Sequence, residues 1–400
     1  MKEADVLEVY KLSNYKIGKV RLGFKRYLYP VVDWDDPLIC LQGARGVGKT
    51  TLLLQKIKES ADRKTTLYVS LDSIWLDLRE VYELVRYHWE HGGTRVVLDE
   101  VHYLKGWQKL IKNLADDFPE MKFAYTGSSL LKIKAGGGDL SRRQREFYLN
   151  GLSFREYLEL EGVLKREAIA LEDLLARHEE ISEEITAAIK VLPQWERYFK
   201  EGYYPFYRDV PSGYAQRLVQ TVNQVLESDW PSVEEVSIAT IRRARKMLRI
   251  LARRPPQTPK MNELYDELET DRKQGLKILN ALVDARLLIF FSSDRESLKT
   301  LSSPDKVFCE NPNLAYALAT DANVGTAREC WIVNQLKVGH EALYPKKGDV
   351  EIDGKYLLEV GGKSKGFDQI ADMPNSFVVN DGVEVGVGNK IPLWLFGFLY

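Results

Sequence analysis

The sequence predicts an α/β chain built on a doubly wound parallel sheet, and three observations carry that prediction. Short apolar runs at 38–42, 66–71, 95–99, 122–126 and 146–149 alternate with amphipathic stretches such as 74–90 and 107–116. Alternation of this kind folds as a parallel sheet with helices on both faces and ligands at the carboxyl ends of the strands. The first apolar run feeds a glycine-rich loop that opens directly into a helical pattern. The third run ends in two adjacent acids, Asp99 and Glu100.

The loop reads Gly43-Ala44-Arg45-Gly46-Val47-Gly48-Lys49-Thr50-Thr51. Strand, glycine-rich turn, Lys-Thr and helix together make a phosphate-binding P-loop. Its glycines let successive N–H groups curl inward, and the following helix adds orphan donors and the positive end of its dipole. All nine residues are therefore expected at bound ATP. Lys49 is expected on the β- and γ-phosphates, and Thr50 on Mg²⁺ through its hydroxyl.

A hydrophobic strand that ends in Asp99 supplies the second expected Mg²⁺ ligand. Glu100, one residue on, is placed to accept a proton from water attacking the γ-phosphate. An adjacent base of this kind suits hydrolysis better than transfer to a second substrate. The fourth run ends at Thr126, followed by Gly127-Ser128-Ser129. Thr126 or Ser128 is expected between Mg²⁺ and the γ-phosphate, although Ser128 and Ser129 equally suit a helix cap. Arg142, Arg143 and Arg145 follow the glycines 136–138 and read either as a source of an arginine finger or as a solvated basic cluster.

At 400 residues two or three domains are expected, and a net charge of −1 gives no global pull toward nucleic acid or membrane. The 3 cysteines, Cys40, Cys309 and Cys330, show no metal-ligand spacing, which suits a reduced, cytoplasmic chain. The charged start lacks a signal peptide, and the apolar tail 391–400 is far short of the ~20 residues of a membrane helix. The expected domains are 1–160, the ATPase core with an N-terminal helix; 161–235, a helical connector; 236–309; and 310–400. Within 236–309, helical patterns at 241–253, 261–268 and 272–285 precede apolar runs at 287–291 and 307–308, as in a winged helix-turn-helix. Its basic residues, Arg242, Arg243, Arg245, Lys246, Arg249, Arg253 and Arg254, then Arg272, Lys273 and Lys277, suit either DNA phosphates or a solvated face.

Residues 43–55, the run from Asp99 to Trp107, Thr126–Ser129 and the stretch from Arg143 through Gly151-Leu152-Ser153-Phe154-Arg155-Glu156-Tyr157 resemble one prokaryotic family. It comprises AAA-type (AAA+-like) P-loop ATPases with a winged helix and a C-terminal PD-(D/E)xK nuclease-like domain. The resemblance implies an arginine finger at Arg143, acting within or between subunits of a homo-oligomer. Here Ser141-Arg142 replaces the family's small residue and glycine, so Arg142 competes for that role. It also implies a small α+β C-terminal domain whose Glu329, Asp349 and Glu359 correspond to a nuclease site. The lysine due two residues after Glu359 is Gly361 here, and the nearest lysine beyond is Lys363, about 13 Å along an extended strand. A vestigial, inactive nuclease site is expected. Two roles stay open: ATP hydrolysis that acts on double-stranded DNA, or a switch that gates a protein partner.

Overall fold

The computed structural model describes residues 3–400 except 73–75, 129–139, 141, 211, 255–260 and 294–303. The chain divides into two units, Met1–Asn150 with Gln224–Val236, and Gly151–Asn223 with Ser237–Tyr400.

The first unit holds a five-stranded sheet of β1 (Leu38–Gly43), β2 (Thr66–Ser70), β3 (Arg95–Asp99), β4 (Lys122–Ser128) and β5 (Arg145–Tyr148), in the order β2-β3-β4-β1-β5. All four pairings are parallel. The helices are α1 (Glu3–Lys19), α2 (Lys49–Glu59), α3 (Leu78–Glu90) and α4 (Trp107–Asp117). β1 and β3 are buried along their whole length, which explains why they read as unbroken apolar runs. α3 begins with a capping box between Asp77 and Glu80, and its Val81, Leu84 and Val85 join Leu110, Ile111 and Leu114 of α4 in the core over the sheet. α1 covers the β2 edge, where Ser13 Oγ accepts the Tyr68 N–H at 3.0 Å. An otherwise unpaired edge donor is thereby satisfied and shielded from other chains. The order of strands sets β4 between the loop-bearing β1 and the acid-bearing β3.

The second unit begins with four helices, Phe154–Leu160, Leu171–Ala188, Val191–Glu201 and Tyr214–Gln224. Phe154 makes edge-to-face contacts with Trp195, Trp394 and Phe398, and Trp195 makes another with Trp331. Buried Asn313 is fully engaged here: its oxygen accepts the Tyr203 N–H and the Tyr214 hydroxyl, and its amide donates to the Tyr198 and Phe199 carbonyls. The apolar tail forms strand Lys390–Pro392 and the 3₁₀ turn Leu393–Phe398, buried in this aromatic core. Helices Ile238–Arg253, Met261–Glu267 and Arg272–Asp284 follow, with a hairpin of β6 (Leu288–Phe291) and β7 (Lys306–Cys309). Next come helices Pro312–Leu318 and Val324–Leu336, then β8 (Ala342–Leu343), β9 (Val350–Ile352), β10 (Tyr356–Gly361), β11 (Ser376–Asn380) and β12 (Lys390–Pro392). Strands β8 to β10 form an antiparallel meander, to which β11 and β12 add in parallel. No described helix is long and apolar enough to cross a membrane.

Two buried acids make this unit sensitive to pH. Glu310 Oε2 finds no hydrogen-bond partner among the described residues, and burial outweighs Arg286 and Lys337 to push the carboxyl up to about 7. Burial and the neighbouring Asp349 push Glu329 up to about 7 as well, against the pull of Lys306. The folded chain therefore keeps protons that the unfolded chain releases near pH 4.5. The stability that these two acids contribute is fully present below that pH and is lost as pH rises through 7. Urea unfolding between pH 5 and pH 8 should show this loss, and Glu310→Gln should remove up to about 3 kcal/mol of it. An unchanged slope in the variant would exclude Glu310 as a source.

Candidate functional site

β1 ends in the glycine loop because each glycine meets a steric demand. A Cβ on Gly43 would lie 2.4 Å from the Leu149 carbonyl oxygen, and Gly46 and Gly48 take φ of 87° and 101°. Arg26 Nη1 donates to the Val47 carbonyl at 2.5 Å and Nη2 to that of Asn150 at 2.7 Å, tying the loop to the end of β5. Lys49, the first residue of α2, is buried, and its ammonium donates to the Gly43 and Ala44 carbonyls at 3.0 and 3.2 Å. A cation so placed over a loop whose backbone turns at three glycines fits a polyphosphate.

Asp99 closes the other side of the loop. Its Oδ2 accepts the Thr50 hydroxyl at 2.8 Å and the Tyr68 hydroxyl at 2.6 Å, and its Oδ1 accepts the Thr126 hydroxyl. Burial and Asp99 itself hold the Tyr68 phenol far above its ordinary pKa, so Tyr68 remains a donor. Thr50 and Asp99 present two hard oxygens to one point, the donor type that Mg²⁺ takes alongside nucleotide phosphates and water. Thr126 is fully buried, one register step beyond the Leu98–Tyr125 pair, and its oxygen also accepts the Glu100 N–H at 2.9 Å. The strand-end threonine expected near the metal thus ties both acids together. Glu100 sits in the left-handed region at φ 58°, ψ 47°, a conformation that costs a non-glycine residue roughly 1 kcal/mol. It launches the turn Val101–Tyr103.

That turn carries groups to which the sequence assigns no role. His102 is buried, with Nδ1 3.3 Å from Glu100 Oε2 and Nε2 3.6 Å from Asp229 Oδ1. Tyr103 donates to Asp229 Oδ1 at 2.9 Å, and Arg45 Nη1, from the glycine loop, reaches the same oxygen at 3.2 Å. Asp229 ends the π-helical turn Val225–Asp229. Burial raises the pKa of its carboxyl, but His102, Arg45 and Tyr103 outweigh burial and hold it below the ordinary range. Nothing local in the sequence marks Asp229, which lies 184 residues from Arg45.

The arginines stand elsewhere. Arg145 opens β5 opposite Ile39, whereas the glycine loop begins at Gly43. Arg142 and Arg143 precede Arg145 at the amino-terminal edge of the sheet, at least about 13 Å from the loop by strand rise. Both are exposed, and Arg143 pairs with Asp116 near the end of α4. Register places both at the edge of the sheet opposite the loop of their own chain. Of Ser128 only the backbone, in β4, is described, while Ser129 and the glycines 136–138 lie outside the described residues.

Residues 35–158 match the family AAA_14, described as an AAA domain. The chain carries an AAA-type P-loop ATPase domain. An uncharacterized protein of Methanocaldococcus jannaschii is 26% identical over 419 residues, spanning 95% of this chain and 88% of that protein. An uncharacterized protein of Haemophilus influenzae is 24% identical over 160 residues, 37% of this chain and 40% of its own length. Among solved structures, a chain from a study of katanin self-assembly aligns at TM-score 0.26 and 20% identity, over 48% of this chain and 72% of that one. The S. cerevisiae Hsp104–ADP complex aligns at TM-score 0.32 and 16% identity, over 68% and 41%. Likeness this low says nothing about substrate or assembly here.

Outside the ATPase domain, the acids singled out in the C-terminal segment do come together. Lys306 Nζ lies 2.5 Å from Glu329 Oε2 and 3.7 Å from Asp349 Oδ1, all three buried or nearly so. Asp349 Oδ2 accepts the Val360 N–H at 2.8 Å beside Glu359 on β10. The lysine that meets Glu359 is Lys365, not Lys363, which is exposed. The reason is Gly361: a Cβ there would lie 2.6 Å from Lys365 Cβ, so only glycine lets the chain fold Lys365 back onto Glu359. Two ammonium groups stand among the three carboxylates, and among the described residues no cluster of three or more acids, histidines or cysteines could hold a metal ion.

Proposed function

We propose that this chain is an Mg²⁺-dependent ATP hydrolase that works as a conformational switch. One observation carries the reading: the glycine loop, Lys49, Thr50, Asp99, Thr126 and Glu100 converge at the carboxyl edge of a single sheet. Mg²⁺, when bound, would supply positive charge against the charge that builds on the phosphate oxygens. The loop N–H groups and Lys49 would orient the triphosphate, while Thr50 and Asp99 would hold the metal. Thr126 fixes Asp99 and the Glu100 backbone together, so that Glu100 faces the phosphate edge in one geometry. Glu100 accepts a proton from water as the water oxygen bonds to the γ-phosphorus and the bond to the β-phosphate oxygen breaks. Hydrolysis, with ADP and phosphate as products, balances without a further reactant.

A partner is needed to complete the site. Because Arg142 and Arg143 stand at the sheet edge opposite their own loop, a finger from either acts on a second copy of the chain, and a homo-oligomer follows. Of the two partner classes, the basic helix favours protein over duplex DNA. Arg243 donates to the Leu268 and Glu269 carbonyls, Lys246 to that of Glu267, and Arg253 and Arg254 pair with Asp321 and Glu267. These cations are engaged within the unit and are not a free phosphate-binding row. DNA is the second reading, carried by exposed Arg272 and Lys273 at the start of helix Arg272–Asp284. The order of three helices and a hairpin supports a winged helix. The order of a helix, an antiparallel meander and a parallel strand supports a nuclease-like fold. Gly361 at the position due a lysine and the buried pairing of Lys306 with Glu329 support loss of nuclease activity.

Glu100→Gln should bind ATP with unchanged affinity while turnover falls about 10²–10⁴-fold. Undiminished turnover in that variant would refute the assignment of the base. For the wild type, turnover per subunit should rise with protein concentration and stay unchanged when duplex DNA is added. A rate constant on dilution would rule out the shared site, and stimulation by DNA would favour the second reading.

A further inference from the structure

The Asp229 carboxylate is where three separate parts of the ATPase unit meet. It is 1% exposed, yet it lies on the short segment Gln224–Val236, which is flanked in sequence on both sides by residues of the other unit. Arg45 reaches it from the glycine loop, with Nη1 3.2 Å from Oδ1 and 3.4 Å from Oδ2. Tyr103 and His102 reach it from the turn after Glu100. A carboxylate this deeply buried is retained only where donors surround it. The π-helical turn that presents it is a rare conformation concentrated at functional sites.

The path to the reacting centre is short. The His102 ring stands between two carboxylates, with one nitrogen toward Glu100 and the other toward Asp229. With one side of the ring set by Asp229, the other side sets where the Glu100 carboxylate stands. The Glu100 backbone, at a strained φ, donates its N–H to Thr126 and accepts the Tyr103 N–H. Arg45 extends the same arrangement into the loop that grips phosphate, and its guanidinium also donates to the Tyr103 hydroxyl at 3.1 Å.

We propose that Asp229 is a positioning residue for ATP hydrolysis, which aligns Glu100 through His102 and ties segment Gln224–Val236 to the glycine loop through Arg45. The inference rests on the hydrolytic reading above and adds to it a residue remote in sequence. The segment that carries Asp229 joins two stretches of the second unit, so the state of the loop is communicated to chain that leaves the ATPase unit in both directions.

Asp229→Asn keeps the shape and removes the charge that faces His102. In the full-length protein, turnover should fall at least tenfold while ATP affinity stays within about threefold. His102→Gln, which leaves Arg45 and Tyr103 on Asp229, should show the same split between kcat and binding. The double variant should be no slower than the slower single variant, because both changes interrupt one path. A purely structural role would instead lower affinity and melting temperature together and make the two losses multiply. Amide hydrogen exchange supplies a readout independent of turnover: Arg45→Met should speed exchange across 225–233 without nucleotide. Turnover in Asp229→Asn and His102→Gln within twofold of wild type would overturn the alignment. Unchanged exchange in Arg45→Met would overturn the tie. If the wild type turns over no faster than Lys49→Ala, the hydrolytic reading fails instead, and the exchange measurement still decides the tie.

Discussion

The ATPase unit is organised around one buried carboxylate. Asp99 ends β3 at 2% exposure, where an unpaired negative charge would be untenable. Three hydroxyls solve the problem, each from a different element: Thr50 from α2, Tyr68 from β2 and Thr126 from β4. Those hydrogen bonds register the first turn of the loop-borne helix against two strands at once. They also hold Thr126 where its oxygen can accept the Glu100 N–H. The loop-borne helix, Thr126 and the start of the Glu100 turn share a geometry because they share this acid.

The second unit meets the same difficulty with different chemistry. Glu329, Asp349 and Glu359 are brought to one place, but lysine ammonium groups, not hydroxyls, stand among them. Hydroxyl partners leave an acid free to exchange a hydrogen bond for a metal contact. An ammonium held in a buried ion pair leaves no such freedom, because withdrawing it exposes an uncompensated charge. Buried acids in one chain are thus compensated by different chemistry, hydroxyls at Asp99 and ammonium groups at Glu329, Asp349 and Glu359.

What could be read from the sequence follows from how local the determinants are. The glycine loop, its helix and the strand ending in Asp99-Glu100 each combine a strong periodicity with a short motif, and all three form where the pattern places them. Thr126 was legible because strand order in a parallel sheet puts the end of a middle strand between its neighbours. Asp229 was not, since it lies 126 residues from Tyr103 in an unremarkable helical stretch. Tyr68 looked like one more apolar strand residue. Lys365 was missed for a subtler reason: extended-strand geometry pointed to Lys363, while Gly361 permits a fold-back that a regular strand would forbid. The place of Arg143 at the amino-terminal edge of the sheet also emerged only from register, which spacing alone does not contain.

The central claim is that Asp99 exchanges the hydrogen bond from Thr50 for a contact to Mg²⁺ beside nucleotide, and affinity measured by calorimetry tests it without relying on turnover. ATP binding is compared with and without Mg²⁺ in wild type and in Asp99→Asn. Mg²⁺ should tighten ATP binding in the wild type, and that increment should vanish in Asp99→Asn while metal-free ATP affinity persists. An equal Mg²⁺ increment in both proteins would contradict the account.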